Sequence, residues 1–213
     1  MRRPALRDAC RFDRASTLAS RFAAGRDGIA AVEFALLAPI LILLFVGAVE
    51  LSHFANNVRK VGFLTRAVGE VASQGETIDS RGAQEIFGAA ALILPPFDGA
   101  SAKIKLSTIG VASRDGASQA TVCSVAASGN TEPRSVGEDL TSLFPGEEEG
   151  ARFLYVEVEM PYRIFFVGEI LSAEEGGDTL QIKKALKWPV RKGVRKNSRY
   201  PEIVLPTGRA CET

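Results

Sequence analysis

The chain has 213 residues, of which 46% are hydrophobic and 24% are charged, and its formal net charge at pH 7 is +1. This length is enough for one folded domain with additional segments, and the composition is typical of a folded protein rather than a disordered one. After the N-terminal region, no basic stretch is interleaved with aromatic residues, so nucleic acid is not expected as a partner.

The first 28 residues are strongly basic. They contain seven arginines and three aspartates, whereas the rest of the chain has a small excess of acidic residues. A basic segment directly before an apolar one usually stays on the cytoplasmic side of a membrane. We therefore predict a cytoplasmic leader over residues 1–28 and an outer region that begins near residue 50.

An apolar segment of 21 residues follows, from Ile29 to Val49, and Glu33 is its only charged residue. As a helix it would be about 30 Å long, which matches the hydrocarbon thickness of a bilayer. The polar residues after it do not provide the small-residue cleavage site of a secretory signal peptide. The sequence thus predicts a single transmembrane helix over residues 29–50.

The helix is expected to continue beyond the membrane. Apolar side chains recur at spacings of three and four and so share one helix face: Phe54, Val58, Val61, Thr65, Val68 and Ala72. Polar side chains fall between them and should face water: Asn57, Arg59, Lys60, Arg66 and Glu70. We predict an amphipathic extension over residues 51–75, so that one helix runs from about Ile29 to Ser73, with Pro39 as a kink.

The remaining residues, 76–213, are predicted to form a small α+β domain. A second helix is indicated from Ser80 to Leu94, because Asp79 or Ser80 can cap its start and Pro95 follows its end. Alternating apolar residues then indicate four strands, at Lys103–Val111, Gln119–Val125, Arg152–Phe166 and Thr179–Val190. One helical turn is expected near Glu138–Leu143. The predicted fold class is a long N-terminal helix followed by a small antiparallel sheet.

The three cysteines fall on different sides of the apolar segment. Cys10 precedes it and is expected in a reducing compartment. Cys123 and Cys211 follow it and are expected in an oxidising one, where a disulfide between them is favoured over two separate thiols. In the chain-entropy model, closing so long a loop stabilises the fold by roughly 4–5 kcal/mol.

Few residues suggest catalysis or metal binding. The one histidine, His53, stands near the predicted membrane edge, and no other histidine or clustered cysteine completes a metal site. The acidic run Glu147–Glu149 offers calcium ligands, but such runs are usually solvated. Glu157 and Glu159 share one face of the third strand, either as an acid–base pair or, as is more usual, as its water-exposed side. We expect no enzyme activity, no metal and no cofactor.

Glu33 needs an explanation, because a charge at the bilayer centre costs about 2.5–3.5 kcal/mol, and less near an interface. One explanation is that it marks the true start of the span, which then runs from Phe34 to Leu51. The other is that a peptidase cuts between Gly28 and Ile29. The new Ile29 ammonium of one chain can then pair with the Glu33 carboxylate of a neighbouring chain and fix the register between packed helices.

Gly28 and the stretch "IAAVEFALLAPILILLFVGAVELSHF" after it resemble the TadE/TadG family of pseudopilin-like proteins, from the tight-adherence (Flp-type) pilus assembly system. The family's hallmark is a glycine, a few small or apolar residues and then Glu-Phe-Ala-Leu, which here are Gly28 and Glu33, Phe34, Ala35 and Leu36. The resemblance implies processing after Gly28 by a prepilin peptidase, and a location in the bacterial inner membrane with a periplasmic C-terminal domain. It also implies three kinds of partner: other pilin or pseudopilin subunits, the inner-membrane assembly platform and the lipid bilayer.

These observations lead to competing hypotheses. The first is a minor-pilin-like component needed for assembly of a tight-adherence pilus or related secretion apparatus, with Glu33 and Phe34 setting subunit register. The second is a single-pass membrane anchor that presents a periplasmic ligand-binding or adhesive domain and keeps residues 1–28. A third, an envelope hydrolase, would use Glu157 and Glu159.

Overall fold

The structure is a computed structural model, and it describes residues 27–114, 116–129, 131–164, 179–196 and 198–212. The chain divides into two compact units, Met1–Val49 and Glu50–Thr213. Apart from its last two residues, the predicted leader lies outside the described residues. The domain limits derived from the sequence (1–28, 29–50, 51–75 and 76–213) stay predictions.

Helix α1 comprises Asp27–Ala72 and contains Pro39. Its bounds lie close to the predicted Ile29–Ser73. Beyond residue 50, most of the predicted apolar face is buried: Val61, Val68 and Ala72 are at most 2% exposed, and Phe54 and Val58 are half-buried against the core. The spacing of apolar residues by three and four therefore correctly identified the face that meets the core.

Helix α2 comprises Ser80–Ala91, with Asp79 as its N-cap. The Gly82 N–H donates to Asp79 Oδ1 at 2.7 Å, which satisfies one of the free N–H groups of the first turn. The helix ends three residues earlier than predicted, with Leu92 as its C-cap. Its buried face consists of Ala83, Phe87 and Ala90.

Among the described residues, five antiparallel strands form one sheet in the order β4-β3-β1-β2-β5. They are β1 (Lys103–Arg114), β2 (Ala117–Ala127), β3 (Arg152–Arg163), β4 (Thr179–Pro189) and β5 (Thr207–Gly208). The four predicted strands and the α+β class are confirmed. The end of the predicted third strand, Phe165 and Phe166, lies outside the described residues. The predicted helical turn is a 3-10 turn at Thr141–Leu143.

The sheet carries a hydrophobic core on each face. Apolar residues of α1 and α2 cover one face, where the strands contribute Ile104, Leu106, Leu154, Val156, Val158 and Met160. The other face is smaller and is built from Ile109, Val111, Val122, Val125, Leu140 and Phe144. Strand β1 supplies apolar side chains to both faces, because Ile104 and Leu106 are even-numbered and Ile109 and Val111 are odd-numbered, and successive side chains of a strand point to opposite faces.

A β-bulge in β2 explains why Val122 and Val125 face the same core although they are three residues apart. In the β1–β2 ladder, Thr108 pairs with Ser124 and Ile109 pairs with Val122, so Cys123 is left without a partner in β1. One extra residue reverses the alternation of the strand at that point. The bulge therefore sets the position of Cys123.

Candidate functional site

The part of α1 before residue 50 exposes nearly all of its large apolar side chains. Leu36 is 70% exposed and Phe45 is 71% exposed. Within the described residues, α1 is the one helix long and apolar enough to cross a membrane. A helix that is apolar on all sides needs cover from lipid or from other helices. This part of the chain can therefore serve as a membrane anchor.

Glu33 and Phe34 lie on this exposed helix, and the Phe34 side chain is 67% exposed. Glu33 comes four residues after Ile29, which is about one helical turn. The predicted role of Glu33 and Phe34 in subunit register, and that of Gly28 and Ile29 in processing, stay predictions.

Gly28 is not required by the described part of the fold. Among the described residues, no heavy atom lies within 4 Å of a Cβ atom added at Gly28. Glycine costs about 1 kcal/mol relative to alanine inside a helix. Neither close packing against these residues nor a left-handed backbone conformation therefore explains this glycine.

The first residues of the second unit are held by the end of strand β3. The Tyr162 hydroxyl donates a hydrogen bond to Glu50 Oε1 at 2.7 Å. The Phe54 ring meets the Tyr162 ring edge-on, with ring centroids 5.3 Å apart. Burial of the Tyr162 hydroxyl, and then its bond to Glu50, raise the pKa of Tyr162 above its ordinary value of 10.0. Sequence analysis did not predict this contact, because the two partners are 112 residues apart.

Asn57 is a correction to the sequence analysis, which placed it on the wet face of α1. Its side chain is only 1% exposed. Asn57 lies beside Pro96, Phe97 and Tyr162, with which it lines a pocket. These residues come from the turn after α2 and from the end of β3, and the helix period alone could not show that they would cover this part of α1.

Further along α1, Gly69 provides a contact surface for the single tryptophan. A Cβ atom at Gly69 would lie 3.1 Å from Cδ2 of Trp188. That separation is tighter than an ordinary van der Waals contact, so the indole ring packs directly against the helix backbone. Trp188, near the end of β4, thus anchors the edge of the sheet to α1.

Cys123 and Cys211 form a disulfide with an S–S distance of 2.02 Å, and it joins residues 88 positions apart. The bond crosses over Gly110 of β1. A Cβ atom at Gly110 would lie 2.7 Å from Cys211 Sγ and 3.0 Å from Cys123 Sγ. The absence of a side chain at Gly110 therefore makes room for the bridge.

A buried ion pair lies next to this bridge. The side chains of Arg152 and Glu202 are 0% and 2% exposed, and Arg152 Nε is 3.8 Å from Glu202 Oε2. Glu202 Oε2 also accepts the Cys211 N–H at 2.8 Å, and an Arg152 NH2 group donates to the Glu212 carbonyl at 3.1 Å. Burial lowers the pKa of Arg152, and Glu202 opposes this effect. The pair thus fastens the C-terminal segment to the sheet.

Sequence analysis missed Arg152, although a signal was present. The buried positions of β3 are the even-numbered ones, and Leu154 and Val156 were correctly assigned to the core face. The same alternation places Arg152, two residues before Leu154, on the same face. A charge there predicts a buried partner.

The two carboxylates considered for catalysis are both held in ion pairs. Arg134 donates from Nε to Glu157 Oε2 at 2.6 Å and from an NH2 group to Glu157 Oε1 at 2.8 Å. Glu159 Oε1 lies 2.9 Å from Lys183 Nζ, and this hydrogen bond lowers the pKa of Glu159. Both residues lie on the face of β3 opposite the larger core, as the alternation predicted.

Other candidates for metal binding are dispersed. Within the described ranges, no group of three or more His, Cys, Asp or Glu side chains is arranged to hold a metal ion. In the run Glu147–Glu149, Glu147 bonds to Lys187 and Glu148 lies 3.0 Å from Arg199. His53 is exposed on α1.

The comparisons with known proteins bear on α1. The family model described as "TadE-like protein" matches residues 28–69. No curated protein and no solved structure matches the chain. The match begins at Gly28 and includes Glu33 and Phe34, the residues on which the resemblance was based. That resemblance is therefore confirmed over residues 28–69, which are similar to the TadE-like family.

Proposed function

We propose that this protein is a pseudopilin-like (minor pilin) component needed for assembly of a tight-adherence pilus or a related secretion apparatus. It is anchored in the bacterial inner membrane by α1, with the N-terminus cytoplasmic and the sheet domain in the periplasm. The observation that carries the proposal is the exposed apolar helix that carries Glu33 and matches the TadE-like family from Gly28 onward. Its exposed side chains need neighbours that the described residues do not supply.

The first step is processing. A prepilin peptidase hydrolyses the bond between Gly28 and Ile29 and leaves a free ammonium group on Ile29. The finding that the fold does not require a glycine at position 28 supports a peptidase as the reason for it.

The second step is lateral packing of processed helices. A carboxylate in lipid is costly unless it is paired, and Glu33 lies within the apolar segment. Pairing of Glu33 with the Ile29 ammonium of a neighbouring subunit removes that cost in one register of the two helices. Exposed side chains such as Phe34 then fill the contact between helices.

We assign the sheet domain to partner binding rather than to catalysis. Its partners would be other subunits and the inner-membrane assembly platform. Both carboxylates once considered for hydrolysis are engaged with cations, Glu157 with Arg134 and Glu159 with Lys183. These ion pairs support a structural role for both.

The processing step is tested by the N-terminus of the membrane-extracted protein, determined by intact mass and terminal sequencing in cells with and without the prepilin peptidase. The proposal expects a chain that begins at Ile29 only when the peptidase is present. A chain that keeps residues 1–28 in both cells would contradict it.

The packing step is tested by Glu33→Ala, with Val32→Ala as the matched control on the adjacent exposed position. Glu33→Ala should leave the protein in the membrane fraction but strongly reduce its cross-linking to other subunits and the number of pili. Val32→Ala should change neither. Normal piliation with Glu33→Ala would remove the proposed pairing.

A second candidate function is a single-pass anchor that presents a ligand-binding domain. The observation in its favour is the pocket of about 710 Å³ in the second unit, lined in part by Asn57 and Tyr162. This function predicts no dependence on Gly28 and retention of residues 1–28 in the mature protein.

A further inference from the structure

The second unit contains a pocket of about 710 Å³, and most of its lining is apolar. This volume lies within the range of about 300–1,000 Å³ that is usual for sites binding small organic molecules. The described residues that line it include His53, Asn57, Phe97, Met160, Tyr162 and Arg163. They come from α1, from the turn after α2 and from the end of β3.

Asn57 contributes a buried hydrogen-bond acceptor to the lining of the pocket. Its side chain is 1% exposed, and within the described part of the chain its Oδ1 atom has no hydrogen-bond partner. Buried polar atoms in native proteins nearly always have a partner. A carboxamide oxygen accepts hydrogen bonds, so a turn of the Asn57 side chain toward the pocket would let it accept from an N–H or O–H group next to the apolar part of a ligand.

Two further lining residues favour an anionic group on the same ligand. Arg163 carries a guanidinium group, which binds phosphate through parallel hydrogen bonds. The exposed His53 imidazole offers a further donor. The Asp98 carboxylate, also in the lining, already accepts the Ala100 N–H at 3.0 Å.

The pocket also lies close to the membrane, if α1 is the anchor. His53 is four residues after Val49, the end of the apolar segment. Even a fully extended chain covers at most about 3.6 Å per residue, so His53 lies within about 15 Å of that end. The polar headgroup layer of a bilayer begins at the same boundary. This step rests on the membrane anchoring in the proposed function.

We propose that the pocket binds one phospholipid molecule of the surrounding membrane. An acyl chain would lie against Phe97 and Met160, the phosphate would meet Arg163, and a hydroxyl or ammonium group of the headgroup would donate to Asn57 Oδ1. The lipid thereby supplies the apolar part, the anion and the donor that the lining residues call for.

The test uses the full chain in nanodiscs of phosphatidylglycerol in which part of the lipid carries a diazirine on one acyl chain. After illumination, cross-linked peptides are identified by mass spectrometry. Labels are expected in two places, the apolar segment 29–49 and the peptides that contain Phe97 or Met160. Labels in 29–49 alone would overturn the lipid site and leave the anchoring intact. Absence of labels in 29–49 would contradict the anchoring itself.

Two substitutions make the assignment specific. Asn57→Leu removes the acceptor, and Met160→Trp fills the apolar end of the pocket. Each should reduce labelling at the pocket by about tenfold without changing labelling in 29–49. Asn56→Leu, on the exposed neighbouring position, is the control and should change neither. If Asn57→Leu does not fold, Met160→Trp decides the question. Unchanged labelling at the pocket in the folded variants would overturn the proposal.

Discussion

The two units of the chain use apolar residues in opposite ways. In the first unit, Leu41 on α1 is 55% exposed, whereas in the second, Leu64 on the same helix is fully buried. The second unit therefore completes its own hydrophobic cores, on both faces of a sheet. The described part of the first unit does not, and its exposed apolar side chains need cover from lipid or from other chains. Helix α1 is therefore one element with two different environments.

The two units also differ in where the partners of their charged residues lie. In the second unit, Arg152 is buried but meets Glu202 and several carbonyl oxygens within the chain. In the first unit, Glu33 lies in an apolar helix and its proposed partner belongs to another subunit. A charge whose partner lies inside the chain stabilises the fold, and one whose partner lies outside can specify an assembly.

The largest expected effect is loss of the disulfide, which should destabilise only the second unit. Replacing Cys123 and Cys211 together by serine should lower the free energy of unfolding by about 4 kcal/mol, because the bridge closes a long loop. The measurement is guanidinium unfolding of the full chain in detergent micelles, followed by the fluorescence of Trp188. Cys10→Ser is the matched control. A loss of less than about 1 kcal/mol in the double variant would contradict the expectation.

The second prediction compares how much the unfolding free energy changes when one leucine in each unit is replaced by alanine. Leu154→Ala should lower the unfolding free energy by about 3 kcal/mol, because the side chain is fully buried between the sheet and the helices. Leu41→Ala should change the unfolding free energy by less than about 0.5 kcal/mol in the same assay, since the Leu41 side chain is exposed and is not one of the buried core residues. Similar losses in both variants would show that the two units do not differ as described.

Sequence reasoning predicted the features that depend on local periodicity. The buried face of α1 followed from Val61 and Val68, and the core face of β3 followed from Leu154 and Val156. The disulfide followed from compartment and the number of cysteines outside the membrane. In each case the information lies in residues close together in the sequence or in the composition of one region.

The features that it missed depend on distant segments. The bulge at Cys123 is defined only by the register with β1, and the burial of Asn57 is defined by residues 96–101 and the end of β3. Strand β5 has two residues, too few to show any alternation. The candidate processing site is a different case, because a Cβ atom at Gly28 would meet no heavy atom of the described residues within 4 Å. The unusual position of Glu33 and the resemblance to a family singled it out.

The third prediction concerns Gly110, where a side chain would collide with the disulfide. Gly110→Ala should destabilise the second unit by about 2 kcal/mol, because the added methyl group lies within 3 Å of both sulfur atoms. Guanidinium unfolding, together with the fraction of free thiols, measures this effect. Gly129→Ala is the control, since nothing lies within 4 Å of a Cβ atom at that position. Equal stability of the two variants would show that the bridge does not need this space.

The smallest effect is expected where the second unit begins. Tyr162→Phe removes the hydrogen bond to Glu50 and should lower the unfolding free energy by about 1 kcal/mol at pH 7. Because the pKa of Tyr162 is raised on folding, the contribution of its hydroxyl is fully present below about pH 10 and is lost as the pH rises above that value. The difference between wild type and Tyr162→Phe should therefore shrink above pH 10.

The unfolding free energies with and without Tyr162→Phe are best compared in a Cys10→Ser background, so that no free thiol attacks the disulfide at high pH. Tyr155, whose pKa is also raised, is present in both proteins and its effect cancels. A difference that stays constant from pH 7 to about pH 11 would mean that the hydroxyl does not hold its proton more tightly in the folded state. A shrinking difference would show that the folded state raises the pKa of the Tyr162 hydroxyl, first through burial and then through its bond to Glu50.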